Sequence, residues 1–298
     1  MIELNQIYNL DCMDFLKQLP DKYVDCFILD PPYFEVINED WDNQWENIND
    51  YLNWCGGWIK EVERVGKLNS TLWIFGFPYQ LTKLLSYIEE SNFKYRQQIV
   101  IWKGLRSIAG RTSKKLKMFP PATESLFYFA YNSIPQIKEL LIKKQYERNL
   151  TAKEINIALG KASNGGGTWS QIAGPKQLTP IQPTKQDWEK LEILLGKLPP
   201  YEDTVFKFNL ERGITDVWLD INFYDKEFLK TKIHPTKKPY KLIERIVKSS
   251  TNENDIICDF FGGSGTTAFV SKKMNRRFLM CEKDINFFNL SCDRLFKQ

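Results

Sequence analysis

Histidine is almost missing from this chain: His234 is the single one in 298 residues. The six cysteines (Cys12, Cys26, Cys55, Cys258, Cys281 and Cys292) are dispersed and form no CxxC pair. Structural zinc needs clustered Cys and His ligands, and a disulfide framework needs densely paired cysteines. Neither is expected, and the thiols read as reduced. No apolar run approaches the roughly 18–20 residues needed to cross a bilayer. The first residues lack the basic-then-apolar order of a signal peptide, so a cytoplasmic location without a membrane partner is expected. Charge of one sign is also scarce: 41 basic and 37 acidic residues leave a net +4, too little by itself to name a nucleic-acid partner. What is present is ordinary for a globular protein, with 43% hydrophobic and 26% charged residues, which excludes a disordered chain.

Strand and helix patterns alternate along the first third. Apolar strands are predicted at 7–10, 24–29, 71–75, 98–102 and 125–131, with amphipathic helices at 12–19, 45–65 and 79–91. Asp11 is placed to cap the first helix. The alternation returns near the end of the chain, with helices at 237–250, 266–274 and 284–296 and strands at 255–261 and 277–281. Such alternation predicts a mainly parallel sheet covered by helices on both faces. The middle differs. It carries a capping-box pattern, Thr151-Ala152-Lys153-Glu154, a glycine loop at Asn164-Gly165-Gly166-Gly167, a Pro-, Gln- and Thr-rich stretch at 175–185, and a helix over 187–195. This reads as an inserted, mostly helical module.

Two constellations point to chemistry. The strand at 24–29 stops at Asp30-Pro31-Pro32-Tyr33. Two prolines cannot sit in a central ladder, so they mark the strand's carboxyl end, where open α/β sheets bind ligands. A stiffened carboxylate and carbonyl beside an aromatic ring suit an exocyclic amine on a flat ring: the two acceptors take its protons and the ring stacks. A rigid turn with a solvated Asp is the bland alternative. The second is Asp259-Phe260-Phe261-Gly262-Gly263-Ser264-Gly265-Thr266-Thr267, followed by Glu282 at the end of the next strand. Glycines let the backbone approach a ligand where a strand turns into a helix, and an acid about 20 residues on can accept ribose hydroxyls. No Lys-Ser/Thr follows the loop, so an adenosine-type cofactor fits better than a nucleoside triphosphate.

Taken in order, these segments resemble those of DNA amino-methyltransferases of the β arrangement, which use S-adenosyl-L-methionine. Asn9-Leu10-Asp11-Cys12 resembles the segment before the catalytic strand, whose Asp contacts the cofactor adenine. Asp30-Pro31-Pro32-Tyr33 is similar to the family's D-P-P-Y catalytic motif. His234-Pro235-Thr236-Lys237-Lys238-Pro239 is similar to the H-P-T-x-K-P segment that packs around the methionine end of the cofactor. The run from Asp259 to Thr267 resembles the glycine motif, with Phe260 where Pro is more frequent. The resemblance covers about 1–134 and 231–298.

It implies a Rossmann-like methyltransferase fold, an α/β architecture with a seven-stranded sheet. Residues 1–134 would form the catalytic half, 135–230 an inserted target-recognition segment, and 231–298 the cofactor-binding half. The implied catalytic residues are Asp30, Pro31, Pro32 and Tyr33. The implied cofactor contacts are Asp11, Cys12, Asp30, His234, Thr236, Lys238, Asp259, Phe260, Phe261, Gly263, Ser264, Gly265, Thr266, Thr267 and Glu282. No metal is required. The implied partners are DNA, a second copy of the chain as a homodimer, and a cognate restriction endonuclease.

A basic stretch supports the DNA expectation. Residues 103–117 contain Lys103, Arg106, Arg111, Lys114, Lys115 and Lys117 and no acid, more positive charge than the net +4 of the whole chain. A solvated lysine-rich loop is the competing reading. The inserted helices could form a helix-turn-helix-like reader or a plain packing module. Trp41 and Trp45, just past the catalytic motif, are candidates for lining the base pocket, with core packing as the alternative. The expected reaction is direct methyl transfer to N6 of an adenine flipped from the duplex. The alternatives are N4 of cytosine, an RNA amino group, or a non-catalytic DNA-binding subunit. No Cys follows a Pro anywhere in the chain, so the Pro-Cys nucleophile of cytosine-C5 methyltransferases is absent.

Overall fold

Strand β2 (Val24–Leu29) lies in the middle of the sheet, and its sequence explains why: all six residues are buried. A strand buried on both faces reads as a continuous apolar run, here interrupted only by Asp25. That acid is compensated. Lys67 pairs with it at 2.8 Å, Lys207 lies at 3.7 Å, and it accepts the Ile256 N–H at 2.9 Å. The structure, a computed structural model, describes residues 2–34, 44–108, 117–160, 167–174, 177, 180–224 and 237–296.

The other strands are β1 (Gln6–Tyr8), β3 (Gly66–Gly76), β4 (Phe93–Trp102), β5 (Thr123–Tyr131), β6 (Val217–Trp218), β7 (Ile256–Asp259) and β8 (Arg277–Cys281). They form one sheet in the order β1-β8-β7-β2-β3-β5-β4-β6. Strand β5 is antiparallel to both β3 and β4, and the remaining pairings are parallel. Among the described residues the sheet thus has eight strands rather than the expected seven. The additional strand, β6, pairs Val100 with Val217 at the edge, and two residues are too few to show any alternation.

Helices cover both faces. Along β2, Phe27 and Leu29 enter one core, and Cys26 and Ile28 the other. The first core is closed by α1 (Cys12–Leu16), α2 (Ile48–Val65) and α3 (Pro78–Glu89), through Phe15, Trp58, Val62 and Leu84 among others. The second is closed by the helix Tyr240–Ser250, through Leu242, Ile243, Ile246 and Val247. Asp11 caps α1, its side chain accepting the Met13 N–H, and Asn47 caps α2. The α2 pattern survives Gly56 and Gly57 because Tyr51, Cys55, Trp58, Ile59, Val62 and Val65 keep the 3.6-residue spacing.

The chain divides into two compact units, Met1–Tyr131 with Lys207–Gln298, and Asn132–Phe206. The expectation from sequence sets the inserted segment at 135–230; residues 207–224 group with the sheet. The second unit is helical. It comprises α4 (Ile134–Glu147), α5 (Ala152–Ala158), α6 (Thr168–Ala173) and α7 (Lys185–Leu195). They share a core containing Leu141, Ile155, Trp169, Trp188 and Leu191. Both halves of the capping box between Thr151 and Glu154 are formed. In chain order the last three helices are then α8 (Tyr240–Ser250), α9 (Thr266–Lys273) and α10 (Ile285–Phe296). No helix among the described residues is long and apolar enough to cross a membrane.

Candidate active site

Sheet topology assembles the site. The chain leaves β2 toward β3 on one side, and leaves β7 toward β8 on the other. Neighbouring strands β2 and β7 therefore form the switch point at which open α/β sheets bind ligands. Asp30 follows β2 and Asp259 ends β7, while Glu282 follows β8 and Asp11 lies beyond β1. Four acids from four segments thus share the carboxyl edge of the parallel strands. A cavity of about 600 Å³ opens there, within the sheet unit.

At the β2 end, Asp30 is held on both oxygens. The Tyr33 hydroxyl donates to Oδ1, and the Lys238 ammonium lies 2.7 Å from Oδ2. Lys238 is also 2.8 Å from Glu124 at the start of β5, and 4.8 Å from the ring centroid of Phe75 on β3. Lys103 completes the cluster, 3.3 Å from Glu124. Two acids thus face two cations, the balance that ion pairs in a poorly solvated site require. Burial opposes the charge on Lys238, but Asp30 and Glu124 outweigh it and hold the ammonium above its ordinary range. Burial likewise pushes Glu124 up, but Lys238 and Lys103 prevail and hold it down. The Tyr33 phenol is raised well above its usual value by burial and by the charges of Asp30 and Glu124. Phe77 meets the Tyr33 ring edge-on at 5.3 Å.

The β7 end is built differently. The Asp259 carboxylate accepts the Phe261 N–H at 3.1 Å and bonds the Thr267 hydroxyl. Glu282 accepts the Gly263 N–H at 2.7 Å and the Asp284 N–H at 2.8 Å. Among the described residues neither acid has an ion-pair partner. Burial pushes Asp259 up to about 7, against the pull of its two hydrogen bonds and with a contribution from the charges of Asp30 and Glu282. Burial raises Glu282 as well. The loop between them depends on glycine at two points. Gly265, the N-cap of α9, has φ 76°, and a Cβ there would come 2.8 Å from that of Ser291. A Cβ on Gly262 would collide with the Met280 side chain. Arg294 of α10 reinforces the loop from beneath, donating to the Ser264 carbonyl and, at 2.6 Å, to the Tyr240 hydroxyl.

The expected site residues fall into four groups. Asp30, Pro31, Pro32 and Tyr33 line the cavity, as do Asp11, Cys12, Lys238, Asp259, Phe260, Phe261, Gly263, Ser264, Thr266, Thr267 and Glu282. Gly265 shapes the loop without being part of the lining. His234 and Thr236 lie outside the described residues, as do Arg111, Lys114, Lys115 and Trp41. Of the basic stretch, Lys103, Arg106 and Lys117 are described and do not line the cavity. Trp45 packs against Tyr51 and Trp54 instead of facing the cavity, and Trp54 lines it. Sequence reading missed Phe75, Ile285, Phe287, Glu124 and Arg294. Phe75, Ile285 and Phe287 supply apolar wall. Glu124 carried one legible signal, a lone carboxylate just before the apolar run Leu126–Tyr131.

Comparison with known proteins accords with this geometry. Residues 24–293 match the model of the N6_N4_Mtase family, described as DNA methylase. Type II methyltransferase M1.MboII from Moraxella bovis is 27% identical, over 97% of this chain and 95% of its own length. Among solved structures, PvuII DNA methyltransferase, designated cytosine-N4-specific, is similar with a TM-score of 0.62 at 15% identity, covering 99% of this chain and 87% of its own. The M1.HpyAVI–SAM complex is similar with a TM-score of 0.55 at 18% identity, covering 97% and 98%.

Proposed function

Since the chain belongs to the N6/N4 DNA methylase family and is a DNA methyltransferase, we propose that it methylates N6 of an adenine flipped from DNA, using S-adenosyl-L-methionine in the β arrangement. One observation carries the reading: Asp30 and Pro31 follow β2 beside Tyr33 and line one cavity together with the glycine loop.

The cavity fits the cofactor's chemistry. S-adenosyl-L-methionine bears a sulfonium and an ammonium, and the cavity wall holds the buried Asp259 without a cationic partner among the described residues. An uncompensated buried carboxylate favours a cationic ligand. Glu282 keeps lone pairs for ribose hydroxyls beyond its two backbone bonds, and Phe261, Ile285 and Phe287 offer apolar wall to an adenine ring. When bound, the cofactor supplies an electrophilic methyl group.

The residues of this chain do the positioning. Asp30 and the Pro31 carbonyl accept the two amine hydrogens, and Tyr33 stacks on the base. The amine lone pair is normally delocalised into the ring; two acceptors on its hydrogens favour a more tetrahedral nitrogen whose lone pair faces the methyl carbon. Asp30 stabilises the positive charge that develops there, which is discharged when the nitrogen releases one of its protons to solvent. The helical unit Asn132–Phe206 is the proposed sequence reader, and Arg106, Lys117 and the basic stretch between them are the proposed phosphate contacts. On the same reading, the chain pairs as a homodimer and serves alongside a cognate restriction endonuclease.

The test is mass spectrometry of nucleosides from unmethylated DNA treated with the protein and S-adenosyl-L-methionine. N6-methyladenine is expected. The same acceptor pair suits N4 of cytosine, and N4-methylcytosine as product would overturn the adenine assignment.

A further inference from the structure

We propose that Lys238 and Glu124 are positioning residues that fix the Asp30 carboxylate for the amine, and that Lys238 does not act on the cofactor. The inference rests on the methyl-transfer reading above and concerns residues to which the resemblance assigns either a different role or none.

The geometry is specific. Lys238 places its ammonium 2.7 Å from Asp30 Oδ2 and 2.8 Å from Glu124 Oε1, over the face of Phe75. Three strand ends, those of β2, β3 and β5, therefore converge on one cation. The Tyr33 hydroxyl holds the other Asp30 oxygen. A carboxylate offers about four lone-pair sites, so each Asp30 oxygen keeps one for the substrate amine. With both oxygens anchored, the plane of the carboxylate is set before the base arrives. Preorganised acceptors of this kind need no rearrangement in the transition state.

Glu124 acts one step further back. Without it, Lys238 would have a single carboxylate and a free direction to swing toward the cavity. With it, the ammonium bridges two acids and its stem is fixed. Lys238 and Asp30 are mostly buried, at 10% and 20% side-chain exposure, so solvent screens the pair only weakly.

The experiment compares Lys238→Met, Lys238→Arg, Glu124→Gln and the charge-balanced double variant Glu124→Gln/Lys238→Met in the full chain. Transfer of labelled methyl to unmethylated plasmid DNA gives kcat and KM, and calorimetry with S-adenosyl-L-methionine gives Kd. Lys238→Met is expected to lower kcat about 100-fold while the cofactor Kd and the KM for DNA stay within about threefold. Lys238→Arg, which restores a cation, is expected to recover about tenfold. Glu124→Gln alone is expected to lose about tenfold, and to add nothing in the Lys238→Met background, as for two residues acting in series. The double variant removes one charge of each sign, so it decides the matter if the single variant does not fold. A cofactor Kd that weakens in step with kcat overturns the proposal and returns Lys238 to the cofactor. Wild-type kcat in Lys238→Met overturns it outright. The product spectrum of the wild-type protein tests the acceptor base separately, since the variant ratios can be read on whichever amine is methylated.

Discussion

The two ends of the cavity hold the same kind of residue in opposite electrical states. At β2, Asp30 is neutralised within the protein by Lys238 and tied by Tyr33. At β7, Asp259 is more deeply buried but has only hydrogen bonds, and burial drives it up to about 7. A neutral amine asks for acceptors of fixed direction, which the first arrangement supplies. A cationic ligand asks for charge left uncompensated, which the second supplies. One sheet edge can therefore host two ligands of different charge, because neighbouring strands place their acids in different company.

The sharpest way to break this contrast is to remove the first acid. Asp30→Ala is expected to lower kcat by about 1000-fold or more with folding and cofactor affinity retained, since Lys238 still has Glu124. Turnover at the wild-type rate would sink the mechanism.

Removing the second acid should have a smaller effect of another kind. Asp259→Asn is expected to weaken cofactor binding by about tenfold, roughly 1.4 kcal/mol, in a calorimetric titration. A tenfold loss of kcat at unchanged cofactor Kd would place Asp259 in the chemical step instead.

The same acid predicts a pH dependence. Its folded-state value of about 7 lies above the ordinary 3.8, so the folded chain holds this proton longer than the unfolded chain does. The stability it contributes is fully present below about pH 4 and is lost as pH rises through about 7, on the order of 4 kcal/mol at full ionisation. The melting temperature of the cofactor-free protein should therefore fall between about pH 4 and pH 7 and level off above, and Asp259→Asn should flatten that fall. Cofactor affinity should move the other way, strengthening as the carboxylate ionises. Parallel slopes in the wild-type protein and the variant would assign the pH dependence to other groups.

The smallest effect is expected from the basic stretch. Reversing the charges of Lys114 and Lys115 is expected to weaken DNA binding and flatten its dependence on salt, without changing the cofactor Kd. An unchanged salt slope would move the DNA path elsewhere on the surface.

Much of this was legible in the sequence. Alternating apolar runs identified seven of the eight strands, because a strand buried on both faces must be apolar throughout. The Asp-Pro-Pro-Tyr stop and the glycine run marked two strand ends by their backbone chemistry alone. Helix α4 was missed because it opens on Ile134-Pro135 without a capping side chain and buries only Ile137 and Leu141. Helix α6 was missed because six residues following a glycine loop show too little periodicity.

By itself, then, the sequence determined most of the strands and longer helices, the two strand-end motifs and the family resemblance, since each depends on residues close together in the chain. The tertiary structure decided which charges meet. Glu124 lies near the start of a strand that runs against its neighbours, so the start of β5 lies at the edge where β3 ends, with Ser125 opposite Gly76. That reversal brings Glu124 to Lys238, and Lys238 to Asp30, across 208 positions of sequence. Periodicity and propensity are local quantities; a salt bridge between strand ends is a property of the strand order, and only the assembled sheet contains it.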